Sequence, residues 1–134
     1  MNLRLIILLS ATAILFTPYS VALAEQKENW RQGRIYYRMV CTACHKEAIG
    51  KGVSPMSKTI AEWKSYIVAN KHDASGKSNP SVKYYTSKEY RNDVQATNKA
   101  AEKFIDMPES QLLANVRAFL IHGAKDSDTP ARCQ

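Results

Sequence analysis

The segment Cys41-Thr42-Ala43-Cys44-His45 constrains this chain more than any other. Two thiols three positions apart fall on one turn of a helix, and the next residue sets an imidazole beside them. A thioredoxin-like redox pair uses thiols at this spacing, but within a strand–turn–helix of a βαβ pattern, and the chain has no alternating strand pattern. A zinc site needs a second pair of ligands at short spacing, and the third cysteine, Cys133, stands alone and far away. A disulfide between Cys41 and Cys44 leaves His45 unexplained. C-x-x-C-H reads instead as the attachment sequence of a c-type haem. Each thiol adds to a vinyl group on one porphyrin edge, and His45 becomes the proximal iron ligand. One covalent haem c, on Cys41 and Cys44, is therefore the expected cofactor, with Cys133 left over as a free thiol or an intermolecular link.

The N-terminus points the same way. Residues 1–24 carry a single charge, Arg4, then apolar runs from Leu5 to Leu9 and Ala11 to Phe16. Pro18 and Ser20 follow, and Ala22-Leu23-Ala24 before Glu25 makes a small-x-small cleavage site. The run is interrupted by Ser10 and Thr12 and stops at Pro18, which is short for a membrane span. A cleaved signal peptide is expected, with contact to a membrane only through the uncleaved segment. No cysteine lies at the cleavage point to carry a lipid. Haem of this kind is attached on the far side of the inner membrane, so a periplasmic or otherwise exported protein is expected.

Cleavage after Ala24 leaves 110 residues at a formal charge of +6, against 134 and +7 for the whole chain. That is one domain, 25–134. Its apolar share drops below the 45% of the whole chain. This is lean for a small domain that must bury a core unaided, and an apolar macrocycle would supply the missing mass.

The periodicity predicts a mainly α fold. A helix is expected over about 27–43, where Trp30, Gly33, Tyr37 and Val40 share a face. Residues 46–58, with two glycines and Pro55, read as a loop. Thr59 and Glu62 have capping-box spacing ahead of an Ile60, Trp63, Ile67 stripe that should end near Asn70. The span 71–99 is polar, with turn signals at Gly76, Asn79 and Pro80, and reads as an insertion without regular structure. A short helix is expected over about 97–105. The last helix opens at Pro108, with Asp106 and Glu109 at capping spacing, and stops at Gly123. Leu112, Leu113, Val116, Phe119 and Leu120 form its apolar stripe, and a short polar tail follows.

These residues together resemble the class I cytochromes c. Gly33 stands eight residues before Cys41 and Tyr37 four after Gly33, as in the N-terminal helix of that family; Phe119 resembles the matching aromatic of its C-terminal helix. The resemblance implies that Gly33 lets two helix backbones cross closely, with the aromatics filling the crossing. Pro55, ten residues past His45, resembles the loop proline whose carbonyl accepts the proximal histidine's second ring N–H. Trp63 resembles the tryptophan under the haem that reaches a propionate, or is ordinary core. The likeness covers about 27–70 and 105–123. It implies helices wrapped round one haem, and an apolar wall of Trp63, Ile67, Leu112 and Val116.

The sixth iron ligand departs from the family pattern. A distal methionine would fall near Ala101, where none stands. Met107 lies at the start of the last helix, Met56 beside Pro55 and Met39 inside the first helix. His72 follows the Trp63 helix and can reach over the distal face, whereas His122 is remote. His72 is the expected sixth ligand, Met107 the next choice and an open site the third.

The expected function is one-electron transfer, with no catalysis, because no acid–base or nucleophile pair is apparent. The basic residues Lys71, Lys77, Lys83, Lys88, Arg91, Lys99 and Lys103 would steer an acidic redox partner protein. No nucleic-acid motif accompanies the charge. A haem sensor with a displaceable or vacant sixth site, and a haem subunit of a larger oxidoreductase, are the alternatives.

Overall fold

The computed structural model of the chain describes residues 27–72 and 81–131. The expected signal peptide, Lys77, the turn at 76–80 and Cys133 lie outside these residues. The described chain is mainly helical and contains no strand. No helix among the described residues is long and apolar enough to cross a membrane.

The first helical rod is longer than the sequence suggests and has three parts. These are α1 (Trp30–Tyr36), a π-helical turn (Tyr37–Cys41) and α2 (Thr42–Ile49). Asn29 starts it, accepting the backbone N–H groups of Arg31 and Gln32. The rod runs on past His45 into what composition marks as loop, and Gly50 stops it in the left-handed conformation at φ 71°. The π turn inserts one residue into the helical ladder just before the thiols. The Thr42 hydroxyl donates to the Arg38 carbonyl there, so a carbonyl loosened by the wider turn keeps a partner.

The second helix, α3 (Ile60–Ala69), has the capping box read from Thr59 and Glu62, and ends on Asn70 at φ 50°. Asp126 also accepts the Ile60 N–H, and the Lys125 N–H donates to the Lys58 carbonyl. The polar tail thus wraps the start of α3.

The segment 81–99 is not structureless. It holds α4 (Val82–Thr86) and α5 (Lys88–Val94), each capped by a serine: Ser81 accepts from Tyr84, and Ser87 from Tyr90. The low apolar content misled because these helices bury tyrosines, whose rings are apolar and whose hydroxyls need partners. A single turn, α6 (Lys99–Glu102), occupies part of the expected 97–105 helix.

The last helix, α7 (Glu109–His122), follows Pro108, but no side chain caps it. The Glu109 carboxylate accepts the Lys88 N–H at the start of α5 instead. A tertiary partner outcompetes the local cap. Leu112, Val116, Phe119 and Leu120 are buried with Trp63, Ile67, Tyr36, Tyr37 and Val40 in one core.

The α1–α7 crossing is the tightest point of that core. A Cβ at Gly33 would overlap the Asn115 carbonyl and lie 2.9 Å from the Val116 nitrogen. Tyr37 and Phe119 fill the crossing, with ring centroids 5.4 Å apart. Asn115, fully buried, ties the two helices: it accepts from the Asn29 N–H at 2.8 Å and donates to Gln32 at 3.0 Å.

Candidate functional site

Cys41 ends the π turn, and Cys44 and His45 lie one turn on, in α2. Both cysteines are free thiols in this structure. Burial pushes the Cys41 thiol up to about 12, with the neighbouring Cys44 adding to the effect. A catalytic or redox-exchanging cysteine needs the opposite shift, toward the thiolate. Cys44 is half-buried, and its sulfur lies 3.6 Å from the Tyr90 hydroxyl.

His45 is half-buried, and burial holds its imidazole below the ordinary 6.5. It is therefore neutral near pH 7, the state a metal ligand requires. Its Nδ1 is buried and has no hydrogen-bond partner. The Pro55 carbonyl, the partner that the family likeness implies, is taken by the Trp63 indole N–H at 2.7 Å. In this structure the Pro55 carbonyl does not bond His45, and Trp63 takes the core position that was its alternative, holding the loop through its indole N–H.

His72 is where the tertiary structure adds most. The left-handed turn at Asn70 folds the chain back, so that the His72 ring stands 5.7 Å from the His45 ring, inclined by 34°. Two imidazoles opposed across one metal ion, each at about 2 Å, separate their ring centroids by roughly 6 Å. The Tyr66 hydroxyl is 2.6 Å from His72 Nδ1. A His72 that carries its proton on Nδ1, toward that oxygen, would donate to a metal through Nε2.

Tyrosines enclose the pair. Tyr85 stands edge-on to His72, with centroids 4.9 Å apart, and to Tyr90 at 5.0 Å; Tyr84 packs on both tyrosines. The Tyr36 hydroxyl donates to the Tyr85 carbonyl at 2.6 Å, which fastens α4 to the rod. Burial raises the pKa of Tyr36, Tyr37 and Tyr90, so these phenols stay protonated. The part played by Tyr66, Tyr85 and Tyr90 was not read from the sequence. The one available signal was a cluster of tyrosines in an otherwise polar stretch.

The remaining candidates lie elsewhere. Met107 is half-buried at the foot of α7, with its sulfur 3.7 Å from the Asn115 amide. Met56 adjoins Pro55 on the 3-10 turn Pro55–Ser57, and Met39 is largely exposed. His122 stacks on Trp30 at 4.1 Å. Trp63, Ile67, Leu112 and Val116 do form one buried wall.

The basic surface differs from expectation at one position. Lys71, Lys83, Lys88, Lys99 and Lys103 are exposed, but Arg91 is 0% exposed. Its Nε donates to the Ser87 carbonyl, and Nη1 to the carbonyls of Phe104, Ile105 and Met107. Arg91 is a clamp on the chain between α6 and α7 and not a steering charge. It cannot be distinguished by sequence from its exposed neighbours, because only the path of residues 104–107 buries it.

Two thiols on one helical turn, His45 next to Cys44 and the His72 ring 5.7 Å from that of His45 are the residues that would hold a covalent haem. Among the described residues no three His, Cys, Asp or Glu side chains converge as a protein-only metal cage. No protein-family model, no curated protein and no solved structure matches this chain.

Proposed function

We propose that the protein is an exported one-electron carrier that uses a single covalently bound haem c. The observation that carries the reading is the facing of His45 and His72, with the free thiols of Cys41 and Cys44 on the turn that bears His45. The haem, when bound, supplies an iron that cycles between Fe(II) and Fe(III). Cys41 and Cys44 tether it through both states. His45 would donate to that iron as a neutral imidazole, and His72, bonded to Tyr66, would be its second imidazole donor. Trp63, Ile67, Leu112 and Val116 belong to the buried core, Tyr85 packs on His72, and Tyr90 reaches the Cys44 sulfur. This apolar, phenol-lined enclosure favours electron transfer over substrate chemistry, since it offers no charged acid–base pair. An acidic redox protein is the expected partner, and the periplasm or another exported compartment the expected location.

The test is a visible and near-infrared spectrum of the full chain purified from a host that exports and matures c-type haem. A six-coordinate, low-spin spectrum that does not change when carbon monoxide is added to the reduced protein is expected. Absence of a haem chromophore would overturn the reading. A methionine–iron charge-transfer band at the red edge would replace His72 with a methionine.

A further inference from the structure

A groove of 710 Å³ runs along the outside of the α1–π–α2 rod, between it and the loop 51–54. Five cations line it: Arg31, Arg34, Arg38, Lys46 and Lys51. All five are exposed, no acidic side chain lines the groove, and none of the five pairs with a carboxylate among the described residues. Between the cations lie Ile35 and Met39, 50% and 55% exposed. The groove is built, not incidental. The Tyr37 hydroxyl donates to the Val53 carbonyl at 2.7 Å, which holds the loop wall against the rod.

Five like charges on one face repel each other, and two large apolar side chains are left in water beside them. Both costs disappear against a surface that carries carboxylates flanking apolar groups. The groove is long and open, which suits a stretch of chain better than a compact anion. We propose that it docks an acidic, apolar-bearing peptide segment of a partner protein. That the partner is a redox protein rests on the electron-carrier reading; the chemistry of the groove does not. The groove places docking on the rod itself, and Lys83, Lys88, Lys99 and Lys103 do not line it. Thr42 lines it, directly between Cys41 and the turn that carries Cys44 and His45. A docked segment therefore reaches the backbone of the thiol-bearing turn.

The probe is a labelled soluble peptide of alternating glutamate and leucine, titrated into the full-length protein and read by fluorescence anisotropy at about 0.15 M salt, where the Debye length is about 8 Å. Arg34→Glu with Arg38→Glu should weaken binding at least about tenfold, since attraction becomes repulsion at the centre of the groove. The charge-matched control Lys88→Glu with Lys103→Glu should stay within about twofold. Ile35→Ser with Met39→Ser, which leaves the charges intact, should also weaken binding, and it serves if the arginine variant fails to fold. Equal losses in the arginine and lysine variants would overturn the proposal, because only net charge would then matter. So would no binding by the wild type, or displacement of the peptide by anionic phospholipid vesicles, which would make the groove a membrane surface. The haem absorbance of the same sample separates the two readings. Peptide binding without haem keeps the groove and overturns the electron carrier; haem without peptide binding does the reverse.

Discussion

The imidazole rings of His45 and His72 face each other across 5.7 Å, although one lies in α2 and the other beyond the end of α3. If both bind one iron, His72→Ala opens a coordination position. Reduced His72→Ala holoprotein should then bind carbon monoxide and change its visible spectrum, while the wild type does not. His72→Met should restore six-coordination at a higher potential, because a thioether favours Fe(II). Identical carbon monoxide responses in wild type and His72→Ala would exclude His72 as the ligand.

Tyr66 orients that ligand. Its hydroxyl lies 2.6 Å from His72 Nδ1, and with the proton on Nδ1 the bond makes the imidazole a stronger donor, which favours Fe(III). Tyr66→Phe should raise the reduction potential, by about 59 mV if the two iron states are affected tenfold differently. Helix content and haem loading should be unchanged. An unaltered potential in a voltammetric titration would leave Tyr66 a packing residue only.

Gly33 has no room for a side chain against the α7 backbone. Gly33→Ala must separate α1 from α7 and break the Asn29 and Gln32 bonds to Asn115. A loss of about 3 kcal/mol is expected, at the upper end of overpacking costs. Thermal unfolding followed by far-UV circular dichroism measures it, and a melting temperature within about 4 °C of wild type would contradict the crossing.

Arg91 is a buried cation that donates to four backbone carbonyls. Arg91→Leu should cost about 3 kcal/mol, since buried acceptors lose their donors. Arg91→Lys should not rescue it, because one ammonium cannot copy the planar fork that spans α5 and the 104–107 turn. Denaturant unfolding of both variants decides the point; full rescue by lysine would show that only the charge matters.

Glu62 supplies the pH dependence. The Thr59 backbone N–H, then the Thr59 hydroxyl, hold its carboxyl below the ordinary 4.5. In acid the folded state binds fewer protons than the unfolded one, so this contribution is full above the ordinary value and fades as pH falls through the folded one. Glu62→Gln should lower stability at neutral pH and leave it little changed in strong acid, so that the acid limb of the stability–pH curve flattens. A parallel shift of the whole curve would mean the capping box does not titrate.

The local features of this chain are legible in its sequence. The Gly33–Tyr37–Phe119 crossing was implied only by the family resemblance, whereas the spacing of Cys41, Cys44 and His45, the Thr59–Glu62 box and the α7 stripe each depend on residues within one helix. Backbone geometry dictates such features before any fold exists. Elements of five to seven residues, such as α4 and α5, were not legible, because their apolar mass is tyrosine and their caps are single serines in polar surroundings.

What only the tertiary structure decided is which distant groups meet. The sequence by itself determined that two thiols and an imidazole share a turn, and offered His72 and Met107 as residues to stand opposite. Packing seats Met107 with Asn115 and brings His72 to His45 through the left-handed turn at Asn70. It turns Arg91 inward, gives the Pro55 carbonyl to Trp63 and lines five cations along one groove. The contacts of Met107, Arg91 and Trp63 share one physical reason. A long-range polar contact forms where burial makes leaving a donor or acceptor unpaired costly, and burial belongs to the assembled chain, not to any local stretch of it.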